Sequence, residues 1–217
     1  MLKKNDINYW NNFYKKKLAV NKPSNFALFV KKFLKKYSST IIIDAGCGNG
    51  RDLFYFKKNK FDIMGIDLSK NAVSLIKKKL VNKKDKKKIY HGDFVNFDYK
   101  KNIKEKFSIY SRFTWHSINE KNENTLLKKL TKNSNFEYIF IETRSDKDGL
   151  YGVGKKKSKN EFITDHYRRF INKNNLVRKI KKNFDIIYLR ESTGFSKFKK
   201  ENPCLIRLIA KRKSIET

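Results

Sequence analysis

Residues 41–52 read IIIDAGCGNGRD: three isoleucines, an acid, three glycines at alternate positions and a charged pair. Only nine glycines occur in 217 residues, so three within five positions imply sharp turning or the close approach of another molecule. Gly46, Gly48 and Gly50 let backbone N–H groups reach a ligand, and the helix that starts near Arg51 offers its positive dipole end to a carboxylate or phosphate. Asp44 stands immediately before the glycines, where it would repel a pyrophosphate and attract an ammonium group. Two more acids follow in similar settings. Asp67 in GIDLS is placed to accept both hydroxyls of a ribose, with Leu68 beside it; Asp93 in HGDF is placed to accept from an adenine amino group, with Phe94 beside the ring.

Those acids need strand ends to hold them. Residues 41–43 form a short, wholly apolar strand of the kind buried in a parallel sheet, FDIMGID a second, IYHGDF a third, FSIYSRF a fourth and FEYIFIETR a fifth. Helices are expected from about Arg51, over SKNAVSLIKKKL with Ser69 as its cap, and over NENTLLKKLTK, with the lysine-rich VNKKDKKK as a loop. INKNNLVRKIKKN is a further helix, and FDIIYLRE and PCLIRLIAKR are the last two strands. Strands alternating with helices imply right-handed crossovers and a doubly wound, Rossmann-like α/β sheet of seven strands. The last two strands have no helix between them, so the final strand is expected to run antiparallel. The chain reads as one domain, residues 1–217, with a helical cap over 1–38 and a long irregular loop or lid over 145–171.

In such a sheet a ligand sits beyond the carboxyl ends of the strands. A nicotinamide dinucleotide is disfavoured by the Gly-x-Gly-x-Gly spacing, which is not Gly-x-Gly-x-x-Gly, and by Asp44 at the pyrophosphate position. A carboxylate at the helix start, an ammonium at Asp44, a ribose at Asp67 and an adenine at Asp93 together describe S-adenosyl-L-methionine. IDAGCGNGRD, GIDLS and HGDF, in that order, resemble the successive motifs of class I S-adenosylmethionine-dependent methyltransferases. The first motif is most similar to that of the thiopurine and tellurite-resistance group of small-molecule enzymes. The resemblance covers about residues 24–144 and implies a cofactor set of Asp44, Gly46, Cys47, Gly48, Gly50, Arg51, Asp67, Leu68, Asp93, Phe94 and Ser111. Cys47 reads as a small filler among the glycines, and the family often folds an N-terminal helix over the cofactor, which points to Trp10 and Tyr14.

The acceptor is less legible. Strand four ends YSRFTWH, without the Pro-Pro-aromatic loop that grips a planar nitrogen, and no cysteine follows strand four or five to attack cytosine. The formal charge of +32 raises nucleic acid as a partner, but 44 of the 53 basic residues are lysines scattered along the chain, as on a solvated surface. The arginines carry more information, because a guanidinium fork matches carboxylate or phosphate oxygens as an ammonium cannot. Arg112, Trp115, Arg144, Tyr151, Arg168 and Arg169 are the expected acceptor-binding residues; His116, His166 and Tyr167 are the expected catalytic ones, His116 as a general base. The expected reaction is methylation, chiefly on oxygen, of a small anionic metabolite: a carboxylate, a phosphate or phosphoramidate, or a surface-sugar precursor. An RNA methyltransferase and a non-catalytic S-adenosylmethionine-binding protein are the alternatives. No metal is expected. The absence of an apolar N-terminal run, with two isolated cysteines, points to a cytoplasmic protein.

Overall fold

Three consecutive isoleucines with no polar face can be satisfied only if both sides of their strand are covered, and the computed structural model places them in the centre of a sheet. It describes residues 4–16, 18–37 and 40–213. Of the expected cap over 1–38, residues 1–3, 17 and 38 lie outside these. Two helices, α1 (Lys4–Lys15) and α2 (Asn25–Tyr37), precede strand β1 (Ile41–Ala45). The chain continues through α3 (Arg51–Lys58), β2 (Ile63–Asp67), α4 (Lys70–Lys79), α5 (Lys83–Lys87), β3 (Ile89–His91), α6 (Tyr99–Asn102) and β4 (Phe107–Arg112). After a 3-10 turn at Trp115–Ser117 come α7 (Glu120–Thr131) and β5 (Phe136–Arg144). Three short strands follow, β6 (Lys155–Ser158), β7 (Glu161–Ile163) and β8 (Tyr167–Arg169), then α8 (Lys173–Ile180), β9 (Phe184–Ser192) and β10 (Leu205–Arg212).

The main sheet has seven strands in the order β3-β2-β1-β4-β5-β10-β9. β1, β2, β3, β4 and β5 pair in parallel, and β10 enters antiparallel between β5 and β9. Each face is sealed by its own apolar cluster. Phe26, Val30, Leu53, Phe56 and Ile76 from α2, α3 and α4 cover one side; Trp115, Leu126, Leu130, Leu176 and Ile180 cover the other. This is the Rossmann-like sheet that the strand–helix alternation predicts, with its single antiparallel strand in the expected place.

Two segments differ from expectation. VNKKDKKK is not all loop: Asn82 accepts from the Lys84 N–H at 2.8 Å and caps the short α5. Residues 145–171 are not simply irregular either, because β6, β7 and β8 form a three-stranded antiparallel sheet. Its first strand, KKKS, is exposed at every position and so lacks the apolar alternation that betrays a strand. The small sheet is fastened to the body by a buried ion pair between Arg169 and Glu123 of α7 (2.9 Å), and the packed rings of Tyr151, Phe162 and Phe170 hold the segment together internally.

Candidate active site

At the carboxyl edge of β1, β2 and β4 the chain encloses a cavity of about 580 Å³, lined by the glycine loop, α1, the α1–α2 connection and the β9–β10 loop. The glycine loop is legible in its dihedral angles. Gly46, Gly48 and Gly50 all lie in the left-handed region, with φ of 79°, 54° and 77°. At Gly46 and Gly48 space is also denied: an added Cβ would come within 2.3 Å of Thr114 Cγ2 and of Tyr14 Oη respectively. The loop is tied to β2 by Asp67, whose carboxylate accepts from the Gly48 N–H at 2.8 Å and the Ser69 N–H at 2.7 Å. Ser69 then caps α4 by accepting from Ala72 N–H.

The electrostatics of this edge call for a cation. Asp44 is buried, lines the cavity and receives no hydrogen bond from any described residue. Burial and the neighbouring Asp52 and Asp67 push its carboxyl pKa well up, against the opposing charges of Arg112 and Arg51. An ammonium delivered to Asp44 would relieve all three causes. Asp67 is raised by burial and partly restored by its two backbone donors. On the far side Tyr14 of α1 presses its hydroxyl onto Gly48; burial and the nearby Asp67, Cys47 and Asp44 hold that hydroxyl well above its usual pKa.

A family model described as "Methyltransferase domain" matches residues 42–133, which begin in β1 and end after α7. That match spans 92 of the 217 residues, the stretch that carries the glycine loop and Asp67. The site fits S-adenosyl-L-methionine: a buried carboxylate at Asp44 would suit the ammonium, the left-handed glycine loop leaves no room for a Cβ, and Asp67, Leu68 and Phe94 line the same cavity. Solved structures share the fold of this chain. An S-adenosylmethionine-dependent methyltransferase from Clostridium acetobutylicum matches 88% of this chain and 92% of its own at TM-score 0.64 and 15% identity. One from Anabaena variabilis matches 98% and 97% at 0.64 and 18%, and TehB from Haemophilus influenzae matches 94% and 67% at 0.62 and 16%. No curated protein sequence matches the chain.

The fold gathers part of the expected cofactor set around the cavity: Asp44, Gly46, Cys47, Gly48, Arg51, Asp67, Leu68 and Phe94. Gly50, Asp93 and Ser111 stand outside it. Gly50 forms the N-cap of α3 and faces Ile76. Asp93 closes a local turn, accepting from Val95 N–H at 2.9 Å and Asn96 Nδ2 at 2.6 Å. The Ser111 hydroxyl bonds Thr114 Oγ1 at 2.7 Å, and Thr114 in turn donates to the carbonyl of Ala45. Cys47 is buried and its thiol pKa is pushed well up by burial and the two acids, as suits a filler.

Of the expected acceptor residues, Arg112 and Arg144 line the cavity; Trp115, Tyr151, Arg168 and Arg169 do not. Trp115 is wholly buried and donates to Glu123. Arg169 is spent on the same Glu123, and Arg168 bonds Asp165 and Thr164 on the outside of the small sheet. The three expected catalytic groups are likewise away from the cavity. His116 is buried beneath β5, its Nδ1 accepting from the Arg144 N–H at 3.4 Å, and burial, then the charge of Arg144 with smaller effects from Arg168 and Arg169, holds its pKa well below the usual imidazole value. His166 packs against the rings of Tyr9 and Trp10, and Tyr167 is buried under the Lys157 ammonium. Two of these three are therefore neutral histidines that brace the fold.

That bracing carries a pH signature. Burial, then Arg168, lowers the His166 pKa from 6.5 to about 4. Between those values the unfolded chain binds a proton that the folded chain refuses, so the contribution of His166 is complete above pH 6.5 and is lost as pH falls toward 4. His116 adds in the same direction. Thermal melts at pH 7 and pH 5 should therefore show a larger drop for the wild type than for His166→Gln; equal drops would remove this role for His166.

Sequence reasoning did not anticipate two features. Asp52 accepts from Ser24 N–H and Ser24 Oγ, both at 2.7 Å, and from the Tyr110 hydroxyl at 2.8 Å, binding the start of α2 to α3 and β4 under the cavity. Asn49 Nδ2 similarly holds the α1–α2 connection through the carbonyl of Val20. The second feature is the β9–β10 loop, which supplies Ser196, Lys197, Phe198, Glu201 and Pro203 to the acceptor side in place of residues 145–171. Its length between two strands that pair directly was the available signal.

Proposed function

We propose that the methyltransferase transfers the methyl group of S-adenosylmethionine to an oxygen of a small anionic acceptor held beside Arg112 and Arg144. The observation that carries this reading is a charge imbalance at the wall of the cavity. Glu142 is fully buried between two guanidinium groups, with Arg112 Nε at 3.1 Å and Arg207 Nε at 2.6 Å. One carboxylate shared by two guanidiniums leaves Arg112, the member that lines the cavity, only partly compensated by Glu142. Arg51 lines the same cavity at the start of α3. Burial and then the charge of Arg112 lower its pKa against the opposing charge of Asp52 at 3.6 Å, and a cofactor carboxylate at Arg51 with an acceptor anion at Arg112 would relieve the repulsion between the two arginines.

Bound S-adenosylmethionine supplies an electrophilic methyl carbon on a sulfonium, so the chain's own task is to orient and desolvate. An acceptor that is already an anion needs no proton removed, which agrees with histidines that stand away from the cavity. Arg144 is held rigid by Asp148 at 2.9 Å and reaches Glu201 of the β9–β10 loop at 3.1 Å, so it joins the acceptor wall to its covering loop. Among the described residues, no helix is long and apolar enough to cross a membrane. The buried free thiols of Cys47 and Cys204 support a cytoplasmic setting for this chemistry.

Screening acidic metabolite fractions with methyl-labelled cofactor would identify the acceptor. Arg112→Lys, which keeps the charge and loses the planar fork, should then raise the acceptor KM by about tenfold while cofactor affinity stays within about twofold. Wild-type acceptor kinetics in that variant would defeat the reading.

A further inference from the structure

Phe113 follows the last residue of β4 and occupies the left-handed region at φ 58°, unusual for a bulky side chain. Such strain persists where the surroundings enforce it and gathers at ligand sites. Here the surroundings are cationic. The Arg112 guanidinium lies 4.3 Å and the Arg144 guanidinium 5.9 Å from the centre of the Phe113 ring, and the Phe113 N–H is anchored on the Glu142 carbonyl at 2.9 Å. Phe113 lines the cavity, and so does Phe198 from the β9–β10 loop, a phenylalanine that is 53% exposed. The acceptor end of the cavity thus combines aromatic faces with guanidinium edges.

Building on the anionic-acceptor reading, we propose that the acceptor is a monocarboxylate on a flat, unsaturated body, with the carboxylate at Arg112 and the body against Phe113 and Phe198. The charge selects a monoanion. The Arg112–Glu142–Arg207 group carries one excess positive charge, and Arg112 already gives Nη2 to Ser196 Oγ at 2.8 Å, so a single carboxylate completes it. A phosphate dianion would bring a second negative charge toward Glu201 and Asp44, where Arg144 is already paired with Asp148 and Glu201. The aromatic lining selects the body, because phenylalanine faces gain most from a flat π-system in offset or edge contact. A cavity of about 580 Å³ that also takes the cofactor keeps that body compact. In the reaction an acceptor carboxylate oxygen bonds to the methyl carbon while the carbon–sulfur bond breaks with its electron pair on sulfur. The products are a methyl ester and S-adenosylhomocysteine, and no proton moves.

Calorimetric titration of protein saturated with S-adenosylhomocysteine tests the proposal with four simple probes: benzoate, cyclohexanecarboxylate, acetate and benzyl alcohol. Benzoate is expected to bind about tenfold more tightly than the other three. Phe113→Asn, which tolerates the left-handed backbone, should lower benzoate affinity toward that of acetate and leave S-adenosylhomocysteine affinity within about twofold. Equal binding of benzoate with acetate or cyclohexanecarboxylate would overturn the flat body and leave the anionic acceptor standing. Benzyl alcohol binding as well as benzoate would overturn the anion itself. Failure of benzoate to bind at all, or wild-type benzoate affinity in Phe113→Asn, would overturn the proposal.

Discussion

Asp67→Ala is expected to weaken S-adenosylmethionine binding roughly 100-fold, because the side chain has two employments. Its carboxylate already holds Gly48 N–H and Ser69 N–H, and so fixes both the left-handed glycine loop and the start of α4. Each oxygen retains a lone pair for a ribose hydroxyl. Removing the carboxylate deletes the ligand contacts and leaves two buried donors unpaired, each worth about 1–3 kcal/mol. Calorimetry on the purified variant would measure the loss, with circular dichroism confirming that the sheet is intact. Asp67→Asn is the useful companion, since it keeps one acceptor oxygen and should recover part of the affinity. Unchanged binding in the alanine variant would withdraw Asp67 from the cofactor site.

The largest stability effect should come from Glu142→Ala. Glu142 is fully buried on β5 and is the shared partner of Arg112 on β4 and Arg207 on β10. Arg207 is further enclosed by the rings of Phe26, Phe29 and Phe195, so it is largely shielded from water. Without the carboxylate, two guanidiniums face each other across a buried gap. Breaking a buried ion pair from one side costs about 3–5 kcal/mol, which in a chain of this length corresponds to a Tm lower by about 10 °C. The same group anchors the acceptor loop, because Arg207 Nη2 donates to the Phe195 carbonyl and Arg112 Nη2 to Ser196. Thermal denaturation of the variant checks the prediction. A Tm equal to that of the wild type would mean that the cluster does not carry the charge assigned to it.

The sheet was legible because its strands advertise themselves. Residues 41–43 and 138–141 are apolar on both faces, as suits a strand covered on both sides, and the acids Asp44 and Asp67 mark the ends of β1 and β2. Asp44, Asp67, Phe94 and the loop glycines Gly46 and Gly48 reached the cavity for that reason. Asp93 did not, because an Asp at the turn after a short strand also satisfies its own backbone, and here it bonds Val95 and Asn96. The pair Arg168–Arg169 shows a different limit. Neighbours on a strand point to opposite faces, so the two cannot serve one ligand once β8 is recognised as a strand. Arg169 goes in to Glu123 and Arg168 goes out to Asp165. That strand, like β6, is too short and too basic to show an apolar period. The acceptor wall was hidden for a third reason: Arg112, Glu142 and Arg207 stand on three strands far apart in sequence, and only the order β4-β5-β10 makes them neighbours.

The most direct test of the whole account is the fate of the transferred methyl group. Purified protein would be incubated with methyl-tritiated S-adenosylmethionine and a cell extract, and the products divided into acid-precipitable RNA and protein and a soluble small-molecule fraction. The account predicts label in the small-molecule fraction, in a compound whose precursor is retained on an anion exchanger and whose methyl group is released by mild base as methanol. It predicts about tenfold less such label when Arg112→Lys replaces the wild type at limiting acceptor. Label confined to RNA or protein, or a base-stable methyl group on a neutral compound, would contradict it.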